Sequence, residues 1–231
     1  TAGADSYLSD RLREGRVRLT CAKGGPAGRN LAEHALGLAL ALSRNIGEAA
    51  RSKHWRRAEL SPGAFELSEK TAGIAGYGAA GRAMSALLSG FDMRVRAVKR
   101  TPPYRDGEDS WIGPPSRLRD LCAESDVVFN FLPATPETHN IFDASMFAAM
   151  KNTALFINVG RGATVDTSAL VEALRRGSLA GAGIDAVEPE PLPEEHPLWS
   201  MSNVVISPHI AGVSPDRGVR NQELMLENLR R

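Results

Sequence analysis

Three chemically versatile side chains stand directly after short apolar stretches of the chain. Arg161 lies in Asn158–Ala163, Asp185 closes an apolar stretch, and His209 lies in Ser207–Gly212. If those stretches are parallel strands, their carboxyl ends meet at the edge of the sheet where open α/β proteins bind ligands. The guanidinium is a permanent cation that suits anions, and the imidazole exchanges protons near neutral pH. The pattern therefore indicates a site at that edge.

A glycine-rich turn supplies a second chemical feature. Gly76, Gly78 and Gly81 form G-x-G-x-x-G between the apolar stretch Thr71–Ala75 and a helical segment. In this context the first glycine permits a tight turn, the second lets the backbone approach a pyrophosphate, and the third lets helix and strand pack closely. The N–H groups at the helix start favour phosphates. A dinucleotide is the favoured ligand. The alternatives are another nucleotide, such as a methyl-donor cofactor, and a turn without ligand.

The end of the second predicted strand bears on the choice of cofactor. NAD-binding versions of the motif carry an acidic residue about 20 positions further on, which bonds the ribose hydroxyls. Here the strand ends in Lys99, Arg100 and Thr101. Cations and a hydroxyl can pair with a 2′-phosphate through charge-assisted hydrogen bonds, so the sequence predicts NADP in preference to NAD. The alternative is that Lys99 and Arg100 are solvated residues leaving a strand.

The elements that must position these residues alternate along the chain. From residue 71 onward, apolar and amphipathic segments follow one another in the order typical of βαβ units with a parallel sheet. The predicted strands are Thr71–Ala75, Arg94–Val98, Asp126–Phe131, Ala154–Asn158, Ala182–Asp185 and Val204–Ser207. The predicted helices are Ala79–Ser89, Ser116–Ala123, Asp143–Met150, Thr167–Arg175 and Pro215–Leu229. We therefore predict an α/β fold with a Rossmann-type doubly wound parallel sheet.

A long helix is predicted ahead of this block. Asn30 is a candidate N-cap, and apolar residues recur at helical spacing from Leu31 to Ile46. The apolar stripe is wide enough to need more than one packing partner, so the helix could lie between domains or between subunits. Gly and Pro clusters at 102–115 and 186–197 predict surface loops.

Composition excludes several classes of protein. The 231 residues carry 28 Lys and Arg against 27 Asp and Glu, a net charge of +1 that is too balanced for a dedicated nucleic-acid binder. Cys21 and Cys122 lack CxxC spacing, so they build neither a zinc site nor a disulfide framework, and they are compatible with a reducing, cytoplasmic location. The longest apolar run, 35–42, is far shorter than the roughly 18 to 20 residues that span a bilayer.

Several separated motifs, taken together, resemble one enzyme family. They are Gly76–Gly81, Leu132–Thr138, Asn158–Gly162, Asp185–Pro193 and Pro208–His209. Their order and spacing resemble the D-isomer-specific 2-hydroxyacid dehydrogenases, which include glyoxylate, hydroxypyruvate and 3-phosphoglycerate dehydrogenases. The resemblance covers nearly the whole chain and implies hydride transfer between nicotinamide and C2 of a small D-2-hydroxy acid or 2-oxo acid of the glyoxylate or hydroxypyruvate type.

The resemblance also implies roles for individual residues. Arg161 would hold the substrate carboxylate and the C2 oxygen, and His209 would be the general acid and base. Glu190 would bond the other imidazole nitrogen, which fixes the tautomer and favours the protonated ring. Asp185 would lie near the nicotinamide amide. The implied cofactor contacts are Gly76, Tyr77, Gly78, Ala79, Ala80, Gly81, Lys99, Arg100, Thr101, Leu132, Pro133, Ala134, Thr138, Val159, Gly160, Arg161, Asp185, His209 and Gly212.

Family members have two domains, and the resemblance implies that this chain contains one of them and only part of the other. It implies that residues 1–28, with a short helix Ser6–Glu14 and a strand Val17–Thr20, are the end of a flavodoxin-like substrate domain. Ala2, Gly3 and Ala4 match the loop whose N–H groups contact the substrate carboxylate. Residues 29–231 would be the NAD(P)-binding domain, with an interdomain or dimer helix at about 30–47. We expect weak or no turnover from this chain alone, because both ends look clipped, and a homodimer.

Rival interpretations stay open at this point. A dinucleotide-sensing, corepressor-like binding protein of the same fold could retain Arg161, Glu190 and His209. Formate-type oxidation is less favoured, because an uncharged amide would then be expected at position 190. A hydrolase is disfavoured because the chain lacks a nucleophile elbow, and no metal is predicted because metal-site spacing is missing. Of the other histidines, we expect His34 to be structural and His54, His139 and His196 to be exposed.

Overall fold

One parallel sheet of seven strands organises the part of the chain that the structure describes. The structure is a computed structural model and describes residues 14–15, 27–108, 110–215, 218–219, 222–223 and 225–226. The strands are β1 (Thr71–Ala75), β2 (Arg94–Val98), β3 (Trp111–Gly113), β4 (Val127–Asn130), β5 (Leu155–Asn158), β6 (Gly181–Ile184) and β7 (Val204–Ile206). Their order across the sheet is β3-β2-β1-β4-β5-β6-β7. Every pairing is parallel.

The strand order places a crevice in the middle of the sheet. The chain builds outward from β1 to β3 on one side and then from β4 to β7 on the other. Connections therefore diverge between β1 and β4, and the carboxyl ends of strands at such a switch point are where doubly wound folds bind ligands. The predicted Rossmann-type fold is confirmed. All six predicted strands are present, with ends that differ by no more than one residue.

Helices cover both faces of the sheet, which explains the continuous apolar character of its central strands. β1, β4, β5 and β6 are buried at every position. The helices are α1 (Ala27–Ser43), α2 (Ile46–Arg51), α3 (Arg57–Leu60), α4 (Ala79–Leu88), α5 (Leu118–Glu124), α6 (Ala144–Ala149) and α7 (Thr167–Arg175). One core cluster joins α1 and α4 to the sheet and includes Leu38, Met84 and Phe129. The other includes Leu121, Leu174 and Phe156.

The long predicted helix differs from the observed one at both ends. Helix α1 begins at Ala27, so Asn30 lies inside it and the predicted N-cap is wrong. The helix ends at Ser43, and Asn45 adopts a left-handed conformation with φ 55° before α2 begins at Ile46. Asparagine is among the few residues that adopt this conformation readily, and it separates two helices that apolar spacing alone makes continuous.

A third strand occupies the region predicted to be a surface loop. β3 consists of Trp111, Ile112 and Gly113 and extends the sheet beyond β2. Trp111 is buried, its Nε1 donates to Glu124 at 3.2 Å, and the Arg117 guanidinium lies 3.8 Å from its ring centroid. The prediction failed because a three-residue strand between Gly and Pro clusters shows no alternation. Burial of the Trp111 side chain fixes the strand in place.

Several predictions fall on residues outside the described ranges. They are the short helix Ser6–Glu14, the strand Val17–Thr20, the substrate loop Ala2–Ala4 and most of the helix Pro215–Leu229. The domain boundary near residue 28 stays a prediction for the same reason. Within the described ranges, no helix is both long and apolar enough to cross a membrane.

Candidate active site

The glycine-rich turn after β1 forms an open cradle. Gly76 has φ 97°, and the N–H groups of Gly76 and Tyr77 donate to the carbonyl of Val98 at 3.1 and 3.0 Å. A Cβ on Gly81 would lie 2.5 Å from the Gly76 carbonyl oxygen, so helix α4 packs directly on the turn. A Cβ on Gly78 would meet no atom within 4 Å. The backbone at Gly78 is therefore accessible and lies next to the N-terminus of α4. This arrangement fits the pyrophosphate of a dinucleotide.

The predicted 2′-phosphate residues lie beside this turn. Val98 is bonded to the turn, and Lys99, Arg100 and Thr101 follow it directly. Lys99 is half-buried, whereas Arg100 and Thr101 are exposed. Glu137 is also close: the Thr135 hydroxyl holds the pKa of Glu137 below its usual value, and the positive charge of Arg100 lowers this pKa further. This end of the crevice therefore carries both cations and one carboxylate.

A buried amide network joins the loops that follow β4 and β5. Asn130 Nδ2 donates to Asn158 Oδ1 at 2.9 Å and to Thr164 Oγ1 at 2.7 Å. Asn130 Oδ1 accepts from the Leu132 N–H, and Asn158 Oδ1 accepts from the Gly160 N–H. Each loop therefore starts from a strand-end asparagine that is bonded to the other one.

The predicted cofactor contacts on these two loops have well-defined partners. Thr138 Oγ1 donates to the Pro133 carbonyl at 2.6 Å and accepts from the Thr135 N–H in a capping box. Val159 is buried, and Leu132 is half-buried. The network and the capping box together fix the backbone that lines the crevice between β1, β4 and β5.

Arg161 lies at the carboxyl end of β5, as predicted. Its Nη1 donates to the Gly160 carbonyl at 2.8 Å, and its side chain is half-buried. Behind it, Gly162 begins a 3-10 turn, and a Cβ there would lie 2.1 Å from the Val187 carbonyl oxygen. The turn therefore packs tightly on the loop after β6, and Arg161 stands on rigid backbone.

His209 and Glu190 come together although 19 positions separate them. His209 Nδ1 lies 2.6 Å from Glu190 Oε1. The two side chains are 44% and 43% exposed, so the pair is in contact with solvent. The bond occupies Nδ1 and leaves Nε2 as the nitrogen that can exchange a proton with a substrate. The predicted pairing of these two residues is present in the structure.

Asp185 is buried and holds the loop that carries His209. Its carboxylate accepts from the N–H groups of Ile210 at 2.9 Å and Ala211 at 3.0 Å. It also accepts from the Ser207 hydroxyl at 2.7 Å. His209 itself has φ 53°, and its N–H donates to the Asp185 carbonyl at 2.9 Å. A non-glycine residue in the left-handed region needs such bonds to stay there.

Some polar residues of the site were not predicted from the sequence. Asn130 and Thr164 received no role, although an asparagine at the end of an apolar strand is a usable signal, since buried amides need partners. His34, expected to be structural, bonds Ser207 at 2.7 Å. His54 and His139 are exposed as expected. His196 is half-buried instead, because its Nδ1 accepts the Leu198 N–H and caps a 3-10 turn.

The Cys122 thiol and possible metal-binding side chains are further candidate reactive groups in the described ranges. Burial raises the pKa of the Cys122 thiol to about 12, so it is an inert core residue. Among the described residues, no three His, Cys, Asp or Glu side chains are grouped as a metal site would require.

Comparison with protein families gives a match over most of this region. The model of the D-isomer specific 2-hydroxyacid dehydrogenase NAD-binding domain matches residues 36–211. The glyoxylate reductase of Thermofilum pendens is 38% identical over 213 residues, which cover 86% of this chain and 60% of that protein. The chain thus spans less than two thirds of the length of this relative.

Solved structures resemble the chain over a similar or larger part. A D-isomer specific 2-hydroxyacid dehydrogenase from Xanthobacter autotrophicus Py2, in complex with NADPH and MES, is 33% identical with a TM-score of 0.84. The match covers 100% of this chain and 93% of that one. An NADPH-dependent glyoxylate/hydroxypyruvate reductase from Sinorhizobium meliloti is 30% identical with a TM-score of 0.70, covering 83% and 97% of the two chains.

Proposed function

Because the chain belongs to the D-isomer-specific 2-hydroxyacid dehydrogenase family, we propose that it acts as an NAD(P)-dependent oxidoreductase on small 2-oxo and D-2-hydroxy acids. The observation that carries the proposal is the 2.6 Å contact between His209 Nδ1 and Glu190 Oε1, beyond the carboxyl ends of strands β6 and β7. Arg161 follows the strand two places away at the same edge. Relatives named glyoxylate reductase and hydroxypyruvate reductase favour substrates of that type.

The residues at the ligand edge have complementary roles in this proposal. The nicotinamide, when bound, supplies or receives the hydride at C2 of the acid. Arg161 binds the substrate carboxylate, because a planar guanidinium can donate two parallel hydrogen bonds to it. His209 gives a proton from Nε2 to the C2 oxygen during reduction and removes it during oxidation. Glu190 stabilises the imidazolium and keeps Nε2 directed away from itself.

Because the His209–Glu190 pair is exposed to solvent, His209 can be reprotonated after each reduction. Each reduction consumes one proton from His209, so the ring must be reprotonated before the next turnover. At 44% exposure the His209 side chain can take that proton from water. The half-buried Arg161 needs no such exchange, since a guanidinium stays charged.

The preference for NADP over NAD is part of the same proposal. Support comes from Lys99, Arg100 and Thr101, which stand where an NAD-binding chain carries a carboxylate. Glu137, beside Arg100, opposes this charge pattern. Two cations against one carboxylate still favour the 2′-phosphate.

A homodimer and a cytoplasmic location are further parts of the proposal. Trp55 is 94% exposed and Ile46 is 55% exposed on the segment that follows α1. Contiguous exposed apolar patches are typical of interaction surfaces, and we propose that these two side chains belong to one. Sedimentation of the wild-type protein and of Trp55→Ser would test the dimer, with a monomeric wild type as the contradicting result.

The test of function is oxidation of NADPH and NADH by the protein as its gene encodes it. A panel of glyoxylate, hydroxypyruvate, pyruvate and an uncharged aldehyde would be followed at the nicotinamide absorbance. We expect turnover of the 2-oxo acids, faster with NADPH, and none of the aldehyde, which lacks the carboxylate for Arg161. Cofactor binding without turnover of any 2-oxo acid would contradict the oxidoreductase and favour a dinucleotide sensor.

A further inference from the structure

His34, on helix α1, reaches the carboxyl ends of strands β6 and β7, close to the His209–Glu190 pair. His34 Nε2 lies 2.7 Å from Ser207 Oγ, across 173 positions of sequence. Ser207 Oγ in turn donates to Asp185 Oδ1 at 2.7 Å, and His34 Nε2 is 3.4 Å from that same oxygen. The three residues come from α1, from the end of β6 and from the end of β7.

The donor and the acceptor of each hydrogen bond between His34, Ser207 and Asp185 can be assigned. A serine hydroxyl has one proton, and here Ser207 gives it to Asp185. Its oxygen must therefore accept from His34, which places a proton on His34 Nε2. The Asp185 side chain is 1% exposed, and its remaining partners are the N–H groups of Ile210 and Ala211. All of these partners donate to the carboxylate oxygens, so the buried acceptors of Asp185 are satisfied.

The chain of bonds ends at the backbone of the proposed catalytic histidine. The two N–H groups held by Asp185 belong to the residues directly after His209. His209 has φ 53°, a conformation that costs free energy and persists only when its surroundings hold it. Without the donor at His34, the Ser207 hydroxyl loses one of the two bonds that orient it, and Asp185 is held by fewer fixed partners. The N–H groups of Ile210 and Ala211 then bond to a less firmly positioned acceptor.

We propose that His34 is a positioning residue for hydride and proton transfer, acting through Ser207 and Asp185 to hold the His209 loop. This inference rests on the proposed function. Helix α1 is well suited to the task, because it packs against β5, β6 and β7 and so joins the core to the edge of the sheet. Residues that orient metal ligands from behind typically change affinity or activity by about 10- to 100-fold when mutated, and we expect an effect at the lower end of that range here.

Three variants of the protein as its gene encodes it test the inference. His34→Ala removes the donor. His34→Gln keeps an N–H donor at a position similar to Nε2. Glu33→Ala is the control, an exposed neighbour on the same helix. The measurements are kcat and KM with glyoxylate, the NADPH dissociation constant, and hydrogen exchange of the Ile210 and Ala211 amides.

We expect His34→Ala to lower kcat about tenfold, with KM and the NADPH dissociation constant within about twofold of wild type. Exchange at Ile210 and Ala211 should accelerate about tenfold, because their Asp185 acceptor is held by fewer bonds. His34→Gln should restore both quantities, and Glu33→Ala should change neither. Wild-type kcat and exchange in His34→Ala, or no recovery in His34→Gln, would overturn the inference.

Failure of the proposed function would look different. If the wild type reduces no 2-oxo acid, the oxidoreductase proposal fails. Amide exchange in the same three variants still decides whether His34 holds the loop.

Discussion

His209 Nδ1 and Glu190 Oε1 are 2.6 Å apart, which joins the imidazole and the carboxylate in one hydrogen-bonded pair. We expect His209→Gln to lower kcat by about 10²- to 10⁴-fold, the usual contribution of general acid–base catalysis. Glu190→Gln keeps a hydrogen-bond partner without the charge, so its kcat should fall less. Steady-state rates with glyoxylate provide the measurement, and NADPH binding serves as the control. A kcat within twofold of wild type in His209→Gln would rule out the assigned role.

Arg161 should determine substrate binding. In Arg161→Lys a positive charge remains but the planar fork is lost, so we expect KM for the 2-oxo acid to rise about tenfold or more. NADPH affinity should change little. Arg175→Lys, at the exposed end of α7, is the matched control. If both variants keep the wild-type KM, the carboxylate is held elsewhere.

The two glycines of the cradle should respond differently to alanine. A Cβ at Gly78 meets nothing within 4 Å, so Gly78→Ala should keep the wild-type Tm while the methyl group blocks the pyrophosphate. A Cβ at Gly81 would lie 2.5 Å from the Gly76 carbonyl oxygen, so Gly81→Ala should lower Tm by several degrees.

Thermal unfolding with and without NADPH separates the two effects. NADPH should raise the Tm of wild type but not that of Gly78→Ala, since only binding to the folded state stabilises it. Equal stabilisation of both proteins would mean that the pyrophosphate does not approach Gly78.

Cofactor choice should depend on Arg100. Removing a charge-assisted hydrogen bond to the 2′-phosphate should lower kcat/KM for NADPH about tenfold in Arg100→Ala. The value for NADH should stay within about twofold, because NADH lacks that phosphate. Arg57→Ala, another exposed arginine, controls for loss of charge. A parallel fall for both cofactors would show that Arg100 does not discriminate between them.

Asp143 provides a test of stability against pH. It caps α6, and the Met146 N–H, with help from Ser145, lowers the pKa of its carboxyl. A lowered pKa in the folded state adds stability above the unfolded pKa, and this stability is lost as pH falls through the folded value. Asp143→Ala should reduce the free energy of unfolding by about 1 kcal/mol at neutral pH.

The difference between wild type and Asp143→Ala should shrink as pH falls below the unfolded pKa of about 4 and through the lower folded pKa. Asp143→Asn retains the oxygen acceptor without a titrating group, so its advantage over alanine should not vary with pH. Denaturant unfolding at several pH values measures both differences. A pH-independent gap between aspartate and alanine would show that the cap works without its charge.

Much of this arrangement could be derived from sequence, because it depends on local patterns. The glycine spacing, the apolar strands and the position of Arg161 are each set by a few consecutive residues. The pairing of His209 with Glu190 came from a resemblance to other proteins, since nothing local indicates that positions 190 and 209 meet.

The features that sequence could not supply depend on distant contacts. Strand β3 is held by the burial of Trp111, which no alternation pattern indicates. The bond between His34 and Ser207 joins residues 173 positions apart, and it exists only because α1 packs across β6 and β7. Helical periodicity assigns His34 to a helix but not to a partner. The left-handed Asn45 likewise separates two helices within an apolar repeat.

The bond between Asn130 and Asn158 has a consequence for anyone who redesigns this protein. Because the amides of Asn130 and Asn158 are bonded to each other and each also binds the loop after its own strand, varying one loop alone leaves it attached to an unchanged partner loop. Substrate range is better altered by exchanging both segments as a matched pair, together with Thr164. Changing the two asparagines separately would leave a buried polar group without its partner in every clone.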